Sequence, residues 1–334
     1  MDCKRPHKYR ALKQLLLVVC TLAMVSCSWI KDDTDDCPNG FWLQLHYTYN
    51  ILDVEAVTRY VQDAYVFIYD AEGNYVKQIY ATPEQLNANH HRVRVEGLPE
   101  GDYQFVVWSG IGNNKYAISG DTRTIDDFRL SLSGNKTECA DNLPDLYHGA
   151  LVNVHYDDSY AIHDVEMMKN TNQLACLIVS VDENAWINPD EYTLKVVSAN
   201  GTMDAFNQLT SDVETTYKPF EQGEVTFEDA DYGELQGIVF NLKTLRLMSD
   251  QDSRIILEKN SGSSDQVLFN ISLPEYIGMM GTLYTNLGRE IGVQEYLDRQ
   301  DFYTVVFYLS SDLDQLLQLS VNNWRIRANH HLKL

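Results

Sequence analysis

Six cysteines, nine histidines and 48 acidic residues carry whatever chemistry this 334-residue chain performs. The thiols are the informative ones. Cys27 follows Val25-Ser26 at the end of an apolar run, Leu15–Val25, which itself follows a basic leader of Lys4, Arg5, Lys8, Arg10 and Lys13. That order reads as a secretion signal. Crossing a bilayer takes about 20 predominantly apolar residues, and Lys31, Asp32 and Asp33 arrive soon after Ile30, so the run is not expected to span a membrane. It is built to be cut, with a nucleophilic thiol at the cut.

Val25-Ser26-Cys27 resembles the lipobox of bacterial lipoproteins, in which the cysteine is diacylated and becomes the first residue after cleavage. Met24 stands where that pattern usually carries Leu, and Cys20, behind the bulky Val18-Val19, is the poorer candidate. The bland reading is an ordinary signal peptide that leaves Cys27 as a thiol. Each buried methylene contributes about 0.8 kcal/mol, so two acyl chains make a permanent tether where one would not. Residues 1–26 are therefore read as a lipoprotein signal peptide and residues 27–38 as a lipidated acidic tether. The charges from Lys31 to Asp36 should stay solvated, and they lack the glycine and distal glutamate of an EF-hand calcium loop. An acidic cluster behind a lipidated cysteine is similar to the surface-export signal of Bacteroidetes lipoproteins, which implies outward display from the outer membrane.

The remaining chemistry-bearing residues suggest no reaction. Cys3 and Cys20 leave with the signal, while Cys37, Cys139 and Cys176 stay, an odd number. Cys176 lies in the apolar run Leu174–Val179 and reads as a small core side chain. Cys37 and Cys139 sit in polar, turn-like surroundings. In an oxidising compartment they either form a disulfide or remain thiols, and sequence does not choose. No Cys/His spacing of the zinc type occurs. The doublets His90-His91 and His330-His331 would point to opposite faces of a strand, so they cannot chelate locally there. His163-Asp164 stands beside no nucleophile motif, and no carboxylate pair is singled out for glycoside hydrolysis. No catalytic residue, metal ligand, cofactor or small-molecule substrate is assigned, and the expectation is a non-enzyme.

Removing residues 1–26 leaves 308 residues, about two domains by length. Five bases and one acid go with them, so 26 Lys/Arg and 48 Asp/Glu become 21 and 47, a formal charge of −26. Such a chain repels nucleic acid and anionic lipid surfaces.

The elements read as strands. Phe41–Tyr49 alternates with period two. Ala64–Asp70 and Tyr75–Tyr80 flank Ala71-Glu72-Gly73-Asn74 as a hairpin. Val93–Val95 and Tyr103–Trp108 follow, the latter after the Gly97-Leu98-Pro99-Glu100-Gly101-Asp102 turn. Asp126–Ser133, Ala150–His155 and Val165–Lys169 are further candidates before a domain boundary near Asn170. Gln173–Val181, Tyr192–Val197, Glu224–Phe227, Gly237–Leu242, Arg254–Lys259, Val267–Leu273, Phe302–Leu309 and Leu316–Ile326 continue the style, with Asn200-Gly201 as a hairpin signal. Pro274–Leu287 is the best helix, and Gln294–Arg299 adds a helical turn. Many short strands at fairly even spacing argue for an all-β protein of two β-sandwiches with one or two short helices, residues 39–170 and 171–334.

Several stretches together carry a family resemblance. Behind Cys27 come Asp35-Asp36-Cys37-Pro38, Ala64–Tyr69, the Gly97–Trp108 block, Thr244-Leu245-Arg246-Leu247-Met248, the run from Gln294 to Asp301 and Asn322-Asn323-Trp324-Arg325. In this order they resemble the FimB-type fimbrial anchor subunits of Bacteroidetes. The resemblance implies two transthyretin-like sandwiches in tandem at the base of a fimbrium, held in the outer membrane by the acylated cysteine. It further implies stalk subunits as partners, joined by β-strand addition, and a role in limiting fimbrial length. In the stalk subunits of such fimbriae an arginine-directed protease removes strand one. Here a cut at Arg59 would remove the lipid with that strand, so the strand is expected to stay in its own sandwich. The alternatives are a surface glycan-binding lipoprotein, suggested by 21 Tyr and five Trp, and a tip adhesin.

Overall fold

The alternation that opens the sequence pattern produces β1 (Phe41–His46), which buries Phe41, Leu43 and Leu45 and turns Trp42, Gln44 and His46 outward. The computed structural model describes residues 40–327 except 120–121, 136, 183–184, 211–212, 261–264, 282–287 and 323. Cys27, Cys37, the tether, His330 and His331 lie outside the described residues. The strand stops short of Tyr49. Beyond His46 the backbone N–H groups of Tyr47, Thr48 and Tyr49 donate to the carboxylates of Glu55 and Glu166 instead of to a neighbouring strand.

After the short helix α1 (Val57–Tyr60), strands β2 (Ala64–Asp70) and β3 (Tyr75–Ala81) form the expected hairpin, with Gly73 at φ 81° in its turn. Helix α2 (Pro83–Ala88) was not legible in the hydrophobic pattern. It starts with a capping box between Thr82 and Gln85 and a proline in its first turn. His90 and His91 follow it in a turn with φ of 55° and 59°, not in a strand. Then come β4 (Arg92–Val95), β5 (Gly101–Ser109), β6 (Tyr116–Ser119), β7 (Arg129–Leu132), the two-residue β8 (Glu138–Cys139), β9 (Tyr147–Tyr156) and β10 (Ile162–Lys169).

The first sheet runs β3-β2-β5-β9-β10-β1-β4 and folds over at β10. The first half of β10 pairs in parallel with β1, from Trp42↔Ile162 to His46↔Glu166. Its last three residues pair antiparallel with β9. The crossing leaves no room at Gly149, where a Cβ would stand 2.6 Å from Val165 Cγ1 and 2.9 Å from Val107 Cβ. Between the leaves lies an apolar core, with Phe41 edge-on to Phe105 at 5.6 Å.

The second half supplies β11 (Thr171–Ser180), β12 (Tyr192–Ser198), β13 (Thr202–Asp204), β14 (Thr215–Tyr217), β15 (Glu221–Asp229), β16 (Gly233–Leu245), β17 (Arg254–Asn260) and β18 (Asp265–Ser272). Helices α3 (Leu273–Gly281) and α4 (Val293–Arg299) precede β19 (Phe302–Leu309), β20 (Leu316–Val321) and β21 (Trp324–Arg327). One sheet has the order β15-β16-β11-β19-β20-β21 and the other β18-β17-β12-β14-β8. Phe269 and Phe307 stack between them at 4.1 Å. As in the first half, the opening strand pairs in parallel with a late one, β11 with β19. The fold is thus mostly β and built from several sheets.

The two halves share structure. β7 pairs with β13, and β8 with β14. One apolar cluster runs from Phe67, Trp108 and Phe128 to Leu174, Phe240 and Tyr303. Two sequence expectations fail here. Asn200-Gly201 does not close a hairpin, because β12 pairs with β14 and β17 while the chain beyond the turn pairs with β7. The run Leu316–Ile326 is two strands, folded back at Asn322 with φ 47°. The buried Asn200 instead donates to the carbonyls of Leu245 and Arg246 and accepts from the Tyr217 hydroxyl at 2.6 Å. Replacing Asn200 with Ala removes these three hydrogen bonds, so urea unfolding should show a stability loss of about 2–4 kcal/mol at unchanged m-value. An unchanged midpoint would contradict this account of the turn.

Candidate functional site

The residues that hold the end of β1 come from three segments of the chain. Glu166, on β10, accepts from the N–H groups of Thr48 and Tyr49 at 2.7 and 2.9 Å and from the Thr48 hydroxyl at 2.9 Å. Glu55 accepts from the N–H of Tyr47 and of Val57. His46 stands between Glu55, 2.8 Å away, and Asp164, 3.2 Å away. Partial burial of the His46 ring works against its charge, but the two carboxylates win and raise its pKa. His163, the other half of the histidine–aspartate doublet, has its ring edge-on to Phe41 at 5.2 Å, a packing role.

The second half grips the same segment. Arg299, on α4 and only 8% exposed, donates to the carbonyl of Asn50 and to Asp53, both at 3.1 Å, and its guanidinium lies 4.2 Å from the centre of the Tyr49 ring. Glu295, one turn earlier, orients it at 2.8 Å. The same helix presents Asp298 to a two-pronged pair with Arg246 at 2.8 and 2.9 Å, and Gln294 to the carbonyl of Leu247. Below this, Lys169 pairs with Asp301 at 2.8 Å, Asn170 and Asn207 exchange amide hydrogen bonds, and His148 reaches the Ala205 carbonyl at 3.0 Å. The seam between the halves therefore carries a layer of hydrogen bonds and ion pairs beside the apolar cluster they share. Removing one partner of a buried ion pair such as Arg246–Asp298 costs about 3–5 kcal/mol.

Beside the seam opens a cleft of about 420 Å³, lined by Tyr49, Leu151, Met168, Phe206, Gln208 and Arg246 among others. Its charged groups already have partners. Glu166 is committed to the β1 exit and Arg246 to Asp298, and one face of Tyr49 is covered by Arg299.

Of the residues singled out from sequence, Cys139 is buried in β8, where burial pushes its thiol pKa up, and Cys176 is buried in the second core, as its apolar surroundings imply. Among the described residues, no group of three or more His, Cys, Asp or Glu could hold a metal ion, and no helix is long and apolar enough to cross a membrane. Sequence reading missed Glu166, Arg246, Asp298 and Arg299 as a set. The signal was present in two blocks noted only for their order, Thr244–Met248 and Gln294–Asp301, which the fold brings face to face through Arg246 and Asp298.

A family model described as fimbrillin-A associated anchor proteins Mfa1 and Mfa2 matches residues 34–330. The chain belongs to this family. Its fold is similar to that of a candidate adhesin from Bacteroides thetaiotaomicron, at 25% identity and a TM-score of 0.76 over 88% of this chain and 99% of that one. A candidate polysaccharide-binding protein of the same organism is 24% identical, with a TM-score of 0.74 over 87% of this chain and 99% of that one. The fimbrial anchor protein Mfa2 from Porphyromonas gingivalis is 15% identical, with a TM-score of 0.64 over 88% of this chain and 100% of that one. No curated protein sequence matches the chain.

The seam should respond to acid through His148. Burial pushes this histidine's pKa down to about 4, so below about pH 6.5 the unfolded chain takes up a proton that the folded chain refuses. Stability contributed by the neutral ring is full above that pH, falls as the pH drops, and levels off near pH 4. The loss amounts to about 3 kcal/mol. Urea midpoints measured from pH 7 to pH 4 should fall more steeply for the native chain than for His148→Gln; parallel profiles would contradict the assignment.

Proposed function

We propose that this protein ties a fimbrium to the outer membrane. Family membership supports the coarser statement, that of a fimbrium-associated surface protein. The finer reading is that acylated Cys27 holds the membrane, residues 39–170 and 171–334 form two sandwiches that reach outward, and a stalk subunit joins by strand addition, with backbone hydrogen bonds giving affinity and alternating pockets giving register. The anchor, once joined to the stalk, can also limit fimbrial length.

The observation that carries the reading is the seating of β1. Phe41, Leu43 and Leu45 fill the core of their own sandwich, so the tether runs without a break into the fold. Arg59 sits exposed on α1, and a cut after it would release β1 and the lipid together. Glu166 and Arg299, which lie beyond the cut, both oppose that release. The glycan-binding alternative finds less support, because Glu166 and Arg246, the charged groups in the cleft beside Tyr49, are already engaged, and Arg299 covers one face of the Tyr49 ring.

Replacing Cys27 with Ala should shed fimbriae into the medium or leave abnormally long, loosely held fibres, while mass spectrometry of the native surface protein finds a fatty-acid-bearing Cys27 as its first residue. Unchanged attachment in the variant, or a native chain beginning at Tyr60, would overturn the proposal.

A further inference from the structure

We infer that β1 and β10 form a load-bearing clamp, in which tension on the membrane tether pulls the two strands past each other in shear and Glu166 with Arg299 blocks the slip. The inference rests on the anchoring role proposed above and concerns how that role survives force.

The tether joins the fold at Gly40, immediately before β1. β1 and β10 run in the same direction over five paired residues, Trp42–His46 against Ile162–Glu166. β10 then passes into β11 with only Asn170 between them. A load borne by the second sandwich therefore leaves β10 at the end remote from Gly40. The two pulls point in opposite directions along one strand axis, so the hydrogen bonds of the ladder share the load at once. Antiparallel hairpins such as β17–β18, pulled at their open ends, would instead lose one bond at a time. β4 adds a second ladder on the other edge of β1, over Phe41–Gln44.

The far end of β1 is closed by groups outside the ladder. Glu166 belongs to β10 itself and holds the N–H groups of Thr48 and Tyr49. Arg299 reaches from the second sandwich to the Asn50 carbonyl and Asp53 and covers the Tyr49 ring. For β1 to move one residue toward the tether, each of these contacts must break together with the burial of Phe41, Leu43 and Leu45. Arg299 also links the end of β1 straight to the second sandwich, giving the load a path that bypasses the first core.

The test is single-molecule stretching of the mature polypeptide from residue 27 onward, with Cys27→Ser, held at its N terminus and at Asp312 in the turn between β19 and β20. At constant force, Arg299→Ala should shorten the lifetime of the folded state about tenfold, the scale of losing a charge-assisted hydrogen bond from the barrier to forced unfolding. With the first handle moved to residue 59, which takes β1 out of the load path, the native chain should yield sooner and Arg299→Ala should change nothing further. Equal lifetimes for the native chain and Arg299→Ala under N-terminal load would overturn the inference. Should Arg299→Ala fail to fold, the two handle positions on the native chain decide, and equal lifetimes there overturn it. These lifetimes belong to the isolated chain, so a clamp found without fimbrial attachment would sink the anchoring proposal alone, and the reverse result would sink the clamp alone.

Discussion

β1 has no strand partner nearby in sequence. Its antiparallel partner β4 begins at Arg92 and its parallel partner β10 at Ile162, so both loops must close before any contact in the first sheet's outer leaf repays the lost entropy. Repayment comes from Phe41, Leu43 and Leu45, each worth about 1.5–3 kcal/mol on full burial, and from carboxylates that satisfy the backbone where the ladder ends. The dependence is mutual. Without β1, the inner faces of Phe105, Val165 and Met167 would lose their cover, so the strand and its sandwich stand or fall together.

The strong negative charge gives the seam its character. A chain with 48 acids and 26 bases repels itself when compact. Four of those bases, Lys169, Lys243, Arg246 and Arg299, are concentrated where the halves meet, each facing at least one carboxylate. Arg246 and Asp298 fix the register of α4 against the end of β16, and Arg299 on the same helix is thereby aimed at the β1 exit. Position along one short helix thus couples the second core to the first strand, and the buried His148 sits within the same seam.

Much of this was legible in sequence, and the exceptions have physical causes. Period-two alternation located β1 because one of its faces lies in a core, and apolar runs between turn signals located β2, β5, β11 and β19, which are buried on both faces over most of their length. β6, β8 and β14 escaped because four, two and three residues are too few to show a period. α2 escaped because its signal is a cap, Thr82 with Gln85, and not a stripe. Asn200-Gly201 misled because a turn dipeptide specifies a local bend and not the partner of the strand that follows. The retention of strand one is an expectation from a functional argument about the lipid, whereas the residues that seat the strand were not foreseen. Glu166, Asp298 and Arg299 look in sequence like ordinary surface charges, and only the parallel return of β10 and the placement of α4 bring them to the same few residues of backbone.

The central claim is that β1 is an integral, cooperatively held member of its own sandwich. Native-state hydrogen exchange of the amides from Trp42 to Leu45 tests it most directly. The account predicts exchange only through global unfolding, with an opening free energy equal to that from urea denaturation. Exchange of those amides through a lower-energy opening that leaves β5 and β9 protected would show a detachable strand and contradict it.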